Sequence, residues 1–224
     1  ATLYLHADTL KSHLILPDST RLLQAYHGVR FFRVDAQGVC DSMEFTSADS
    51  LLHMYKLPII WNENYQITGD TIRIHMNDSA VDWAYIPAAA FATQHKDSVF
   101  FDQVSGKTLK AWFDQGQLRQ VDVSGNAQTI FYPQERDSTL TGLNKAESGF
   151  LTMYLKNQQM EKIIIWPQPQ GSMTPMEQVK PDQLYLPAYK WYDELRPTSP
   201  DDIFRKPEVK PEVVEEEKKH RFSH

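Results

Sequence analysis

Residues 64–86 read NYQITGDTIRIHMNDSAVDWAYI. Apolar and polar residues alternate through TIRIHM and again through AVDWAYI, with a polar stretch between them. Period-two alternation sends successive side chains to opposite faces of a strand, so the segment reads as two strands joined by a turn. The phrase recurs. Aligned without gaps, residues 76–86 (MNDSAVDWAYI), 113–123 (FDQGQLRQVDV) and 155–165 (LKNQQMEKIII) each place an apolar residue, a four-residue polar turn, an apolar residue and an alternating strand. A weaker copy, VDAQGVCDSM, starts at Val34. The hairpins recur at an interval of about 40 residues, within the range that marks stacked supersecondary units. Turns of this length, expected as type I with a glycine near the end, connect antiparallel strands. A catalytic centre is written once; a phrase repeated along the chain predicts a repeated surface.

Outward from this stretch the same grammar holds. GVRFFRV, KTLKAWF, QTIFY and FLTMYL alternate, and DAQG, DQGQ, SGNA and KNQQ punctuate them. The pattern predicts an all-β fold over residues 1–165: a solenoid, barrel or sandwich of antiparallel hairpins. From Trp166 proline becomes frequent (WPQPQGSMTP, LRPTSP), which predicts an irregular extension over 166–206 that packs on or follows the shell, with a short helical turn near YKWYDEL. Residues 207–224 (PEVKPEVVEEEKKHRFSH) are charged and of low complexity, and read as a disordered tail.

Alternation also assigns faces. Ahead of the three turns, Ile72, Ile74 and Met76 align with Leu109, Ala111 and Phe113, and with Leu151, Met153 and Leu155. After them, Ala84 and Ile86 align with Val121 and Val123, and with Ile163 and Ile165. Stacked hairpins would join these residues into one apolar stripe. Arg73, His75, Asp82, Lys110, Arg119 and Lys162 fall on the opposite, solvated face. Pattern alone makes the stripe a core; a sharper reading makes it the lining of an open trough for alkyl chains.

Composition removes several function classes. A net charge of −6 disfavours a general binder of phosphate backbones, and 41% hydrophobic residues suffice for a packed core. The single cysteine, Cys40, allows no internal disulfide and no thiolate zinc cluster. YIPAAAFA and KIIIW are far shorter than the ~18 residues of a membrane helix. The N-terminus ATLYLHADTL lacks a charged region before an apolar one, which is expected either of a protein that is not exported or of a chain that begins after a removed segment. The absent initiator methionine favours a trimmed or mature chain.

Candidate chemical motifs dissolve on inspection. VSGKT at Val104 ends like a phosphate loop, but Phe101 stands where that loop needs glycine. Asp followed by Ser or Thr and an aliphatic occurs at Asp8, Asp41, Asp49, Asp70 and Asp97, and five copies read as corner formers through Asx-turns rather than as acids in catalysis. His6, His53, His75 and His95 are spread over separate strands, and Cys40 reads as a small core residue. DAQGV and DQGQL lack the further ligands of a calcium loop. No catalytic residue, metal site or cofactor is expected.

The stretch from His27 to Met76, with its ordered phrases CDS, ADS, LPIIW and QITGDTI followed later by VSGNAQTIFYP, resembles the OstA-like family. That group contains the periplasmic lipopolysaccharide-transport protein LptA and the N-terminal domain of the outer-membrane translocon LptD. The resemblance covers roughly residues 3–165, and GLNKAESGFLTMYL through SMTP looks like an extended variant. It implies an antiparallel β-jellyroll folded like a taco shell, whose apolar interior receives the acyl chains of lipopolysaccharide. It further implies a periplasmic, outer-membrane-associated setting and partners that are other jellyroll modules joined edge strand to edge strand. The apolar stripe would then be the lipid-binding interior, with Arg73 or Lys110 near the headgroup. Two other readings stand beside it. One is a β scaffold for protein contacts, packed by its own side chains and without a lipid ligand. The other is a carbohydrate-active β-solenoid using Trp61, Trp83 and Trp112.

Overall fold

The computed structural model describes residues 2–17, 19–77, 80–135, 138–156 and 159–206 of the 224; the tail beyond 206, read above as disordered, lies outside them. The strands are β1 (Tyr4–His6), β2 (Thr9–Ile15), β3 (Thr20–Arg33), β4 (Ala36–Thr46), β5 (Leu51–Tyr55), β6 (Ile59–Asn62), β7 (Tyr65–Thr68) and β8 (Thr71–Asn77). They continue as β9 (Ala80–Ile86), β10 (Ala90–Asp97), β11 (Phe100–Gly106), β12 (Thr108–Asp114), β13 (Gln117–Phe131), β14 (Gly142–Lys156), β15 (Gln159–Trp166) and β16 (Gln170–Pro175). Every pairing is antiparallel. The all-β jellyroll expected from the sequence is what forms.

Four long strands carry the architecture. The first part of β3 pairs with β2 and its second part with β1; β4 likewise divides between β5 and β6, β13 between β12 and β11, and β14 between β15 and β16. Each therefore turns a corner from one sheet into another. Sheet I runs β2-β3-β4-β5-β8-β9-β12-β13-β14-β15, and sheet II runs β1-β3-β4-β6-β7-β10-β11-β13-β14-β16. The chain fills them alternately, hairpin by hairpin.

The corners are built from backbone. On β3 the register breaks between Tyr26 and Val29, where His27 and Gly28 both have φ of 62°. On β13 it breaks between Ser124 and Ala127, at Gly125 (φ 76°) and Asn126 (φ 53°). Such bulges bend a strand sharply. Short strands cross the same line with a bond into it: Asp8 N–H donates to His27 O (3.0 Å), Lys107 N–H to Gly125 O (2.8 Å) and Asp70 N–H to Ala88 O (3.2 Å).

The recurring aspartates take their places here. Asp8, Asp41 and Asp70 sit at sheet-to-sheet corners, whereas Asp49 and Asp97 sit in hairpin turns. Leu51 N–H donates to the Asp49 carboxylate at 3.3 Å, an Asx-turn that launches β5.

The repeated phrase proves to be a repeated bulged hairpin. The register shifts between His75 and Met76 on β8, between Trp112 and Phe113 on β12, and between Tyr154 and Leu155 on β14. The residues left over on the partner strands are Asp82, Arg119 and Glu161, the same position in all three aligned copies. One detail departs from expectation. In the hairpin β12–β13, Gln115 (φ 50°) and Gly116 (φ 77°) are both left-handed, as a type I′ rather than a type I turn requires.

Residues 170–175, read above as irregular, form β16 on the edge of sheet II. Beyond it the chain runs back across the outer face of sheet II as a strap with short 3₁₀ turns at Met176–Gln178, Pro181–Gln183, Asp193–Leu195 and Asp201–Phe204. Three buried glutamines in one cross-strand row, Gln37–Trp61–Gln66–Thr93–Gln103, hold it. Gln103 donates to Leu184 O and accepts from Leu186 N–H, both at 2.8 Å. Gln66 does the same with Lys190 O and Tyr192 N–H, also at 2.8 Å. Gln37 accepts from the Arg196 guanidinium. Leu186 joins Phe91, Ile130, Tyr132 and Leu143 in a second core beneath the strap, separate from the core between the sheets.

Candidate functional site

The facing sides of the two sheets form the candidate site. On sheet I the row nearest the corner reads Ala25–Met43–Met54–Ile72, then Ile86–Leu109–Val123–Leu151–Ile165. The next row toward the mouth reads Leu23–Phe45–Leu52–Ile74–Ala84–Ala111–Val121–Met153–Ile163. A third row, at the bulges, holds the pairs Met76–Val81, Phe113–Leu118 and Leu155–Met160. The residues that alternation assigned to one stripe thus share one face of one sheet. All but Met76 belong to the inter-sheet core or pack against it, and Met76 is half-buried in the third row.

Sheet II supplies the opposing wall, which the sequence did not delineate. Its inner row runs Leu5–Phe31–Gly38–Ile60–Ile67–Ala92–Val104–Thr129–Ala146–Gly171. The signal was weak because glycines interrupt it and its strands are short.

Exposure grades from corner to mouth. In the corner row Ile72, Ile86, Leu109, Val123 and Leu151 are 0–2% exposed. In the second row Ile74, Met153 and Ile163 are half-buried, and in the third all six named residues are. The cause lies in glycine: a Cβ at Gly69 would overlap the Ile86 side chain, and one at Gly106 the Val123 side chain. At the corner, side chains of sheet I rest on bare backbone of sheet II; away from it the walls part.

The polar face also lies where alternation placed it. Arg73, His75, Asp82, Lys110, Arg119 and Lys162 are on the outer side of sheet I. There His75 stacks on Trp83 at 5.4 Å, Lys110 Nζ lies 3.9 Å from the Trp112 ring centroid, and His75 Nδ1 is 2.9 Å from Asp82 Oδ2. Arg73 and Lys110 are therefore on the far side of the sheet from the mouth, which corrects their expected place beside a headgroup. Trp61 is fully buried beneath the strap and presents no face to a sugar. Two cavities, about 580 Å³ at Ser42, Tyr55, Lys56, Leu57, Asp70 and Thr71 and about 400 Å³ at Tyr154, Glu161 and Lys162, lie on the outer side of sheet I.

Among the described residues, the reactive groups singled out in the sequence take structural places. Cys40 is buried in the inter-sheet core, where burial pushes its thiol up to about 12, far from a nucleophilic thiolate. Lys107 and Thr108 of the VSGKT phrase form the corner between β11 and β12, not a strand-to-helix loop. Among the described residues no three His, Cys, Asp or Glu side chains gather where they could hold a metal ion, and no helix is long and apolar enough to cross a membrane.

No protein-family profile matches the chain, and no curated protein matches it. Among solved structures it is similar to LptH, the LptA-homologous periplasmic component of the conserved lipopolysaccharide transport device from Pseudomonas aeruginosa. The two share 14% identity with a TM-score of 0.45, over 62% of this chain and 93% of that one.

Proposed function

We propose that the protein is a non-enzymatic lipopolysaccharide-binding and transport module of the Gram-negative envelope, working in the periplasm. Acyl chains lie between the two sheets along the second and third inner rows. One observation carries this reading: the continuous apolar rows of sheet I face the inner row of sheet II across a corner, sealed at its base and increasingly exposed toward the mouth. Alkyl chains need no directional partner, and each buried methylene contributes about 0.8 kcal/mol. Met76, Met153 and Met160 add side chains that adapt their shape. The choice of lipopolysaccharide among lipids rests on the OstA-like phrases between His27 and Met76.

Bridging to further jellyroll modules follows from the open ends. Among the described residues β1 and β2 pair only with β3, and β15 and β16 only with β14. Each sheet holds ten strand segments, so β15 runs opposite to β2. A following module's β2 would then meet β15 antiparallel, and the alternation would continue unbroken.

A photo-crosslinking amino acid at Ile74, Phe113 or Ile163, on inner half-buried positions, should capture lipopolysaccharide, and one at Arg73, on the exposed outer face, should not. The sealed corner row favours a second reading, a scaffold packed by its own side chains. Absence of capture at all three inner positions would establish that scaffold and end the transport reading.

A further inference from the structure

The two lips of the trough differ. The third inner row of sheet I is apolar to its end, from Met76 to Met160. The matching row of sheet II is polar over its middle strands: Asn62 pairs with Tyr65, Tyr65 with Gln94 and Gln94 with Asp102, before Asn144 stands between Phe131 and Met173. These side chains face inward, because Tyr65, Gln94, Asp102, Phe131 and Asn144 each stand two residues along the strand from the inner-row residues Ile67, Ala92, Val104, Thr129 and Ala146.

Within this lip stands a charged pair unlike the molecule's others. Lys96 is the unpaired residue where the β10–β11 register shifts between His95 and Asp97. Its Nζ lies 3.1 Å from Asp102 Oδ2 and 5.8 Å from the Phe131 ring centroid, while Asp102 Oδ1 accepts the Tyr132 N–H at 2.9 Å. The side chains of Lys96 and Asp102 are 15% and 14% exposed. In each other ion pair among the described residues the more exposed partner is 41–72% exposed. Taking two charges out of water is costly, and their attraction only partly returns that cost. An ammonium held in that state against an apolar trough is poised for an anion that arrives with an alkyl chain.

We propose that this lip is an anion site, in which Lys96 takes the phosphate or carboxylate head of an amphiphile whose chain lies in the apolar rows. The site rests on the trough reading and deepens it. Asp102 is the resident counter-ion that the ligand's head replaces, and Tyr65, Gln94 and Asn144 supply donors around it. Burial pushes the Asp102 carboxyl up, so this partner is readily neutralised once Lys96 turns to a ligand. The ligand is therefore oriented, head on sheet II and chain toward sheet I.

The test uses the full chain loaded with N-phenyl-1-naphthylamine, an uncharged apolar probe. Dodecyl phosphate and dodecyltrimethylammonium, both below their critical micelle concentrations, compete for it. The wild type should release the probe at about tenfold lower phosphate than ammonium concentration, the scale of one charge-assisted hydrogen bond. Lys96→Gln should remove most of that preference with probe binding unchanged, and Asp102→Asn, which frees the ammonium, should widen it. Equal competition by the two heads in the wild type, or a preference that survives Lys96→Gln, overturns the anion site while leaving the trough standing. Failure of the wild type to bind the naphthylamine overturns both.

Discussion

Ile86 rests on the bare backbone of Gly69 across the corner between the two sheets: a Cβ at 69 would overlap Ile86 Cγ2, and Ala88 O lies 3.2 Å from the same point. Space, not backbone conformation, is what glycine supplies there. Gly69→Ala should push the walls apart at their best-packed point and destabilise the fold by about 1–3 kcal/mol, the usual range for overpacking. Gly116 is the contrasting control, since its φ is 77° and a Cβ there would meet nothing within 4 Å. Asparagine tolerates that conformation, so Gly116→Asn should stay within about 0.5 kcal/mol of the parent. Urea unfolding followed by tryptophan fluorescence separates the two.

The strap is tied to sheet II by side-chain amides that read its main chain, not by strand pairing. Removing either amide leaves a part-buried carbonyl and an N–H of the strap without their partners, at a cost of about 1–3 kcal/mol. Gln66→Ala should therefore loosen residues near Lys190 and Tyr192, and Gln103→Ala residues near Leu184 and Leu186. Hydrogen exchange should rise in the strap while strands lining the inter-sheet core, such as β12 and β13, stay protected. Equal acceleration in those strands would mean that strap and shell unfold as one unit.

Why the first wall was legible and the second was not follows from these contacts. On sheet I each hairpin repeats one bulged phrase, so Ile74, Ala111 and Met153 occur at corresponding places and their alternation survives inspection. On sheet II the inner row passes through Gly38 and Gly171, and corner positions such as Gly69 and Gly106 are emptied to admit side chains from the other wall. The apolar pattern is erased where packing is tightest. The glutamine row was equally hidden, because its partners in the strap lie 81 to 159 residues away in sequence. A buried Gln in a strand carries no local mark of what covers it. β16 was missed for a simpler reason: QGSMTP has a glycine, a proline and one β-branched residue, and it is a strand because β14 offers a free edge.

Asp41 gives the corner a pH dependence of known sign. The Ser42 hydroxyl donates to its carboxylate at 2.6 Å, with Lys56 Nζ at 3.2 Å and His27 Nδ1 at 3.4 Å. These partners, the Ser42 hydrogen bond foremost, hold its carboxyl down at about 2. A carboxyl lowered on folding contributes stability above its unfolded value, near 3.8, and loses that contribution as the pH falls through about 2. Asp41→Asn should lower the melting temperature at pH 7 and flatten its fall on acidification between the two values. An unchanged acid limb would assign that fall to other carboxylates.

The N-terminal edge is where assembly should be decided. All seven residues of β2 are exposed on both faces, although the strand is paired along its length with β3. Leu10 stands opposite Ala25 on the inner side of sheet I, continuing the corner row, and Leu14 follows on the same side; both are exposed. Protein sheets ordinarily blunt such an edge with charge or proline; among Thr9–Ile15 only Lys11 carries a permanent charge. An incoming strand would complete both the hydrogen-bond ladder and the apolar row. Leu10→Glu with Leu14→Glu should leave the monomer's unfolding midpoint nearly unchanged, because neither side chain is buried in it. The same pair should abolish concentration-dependent growth of the sedimentation coefficient. Ile164 and Trp166 on β15 are exposed at the opposite end but face outward, away from the trough, so Ile164→Glu should weaken association far less. Growth that survives the double glutamate would place the contact between modules somewhere other than the β2 edge.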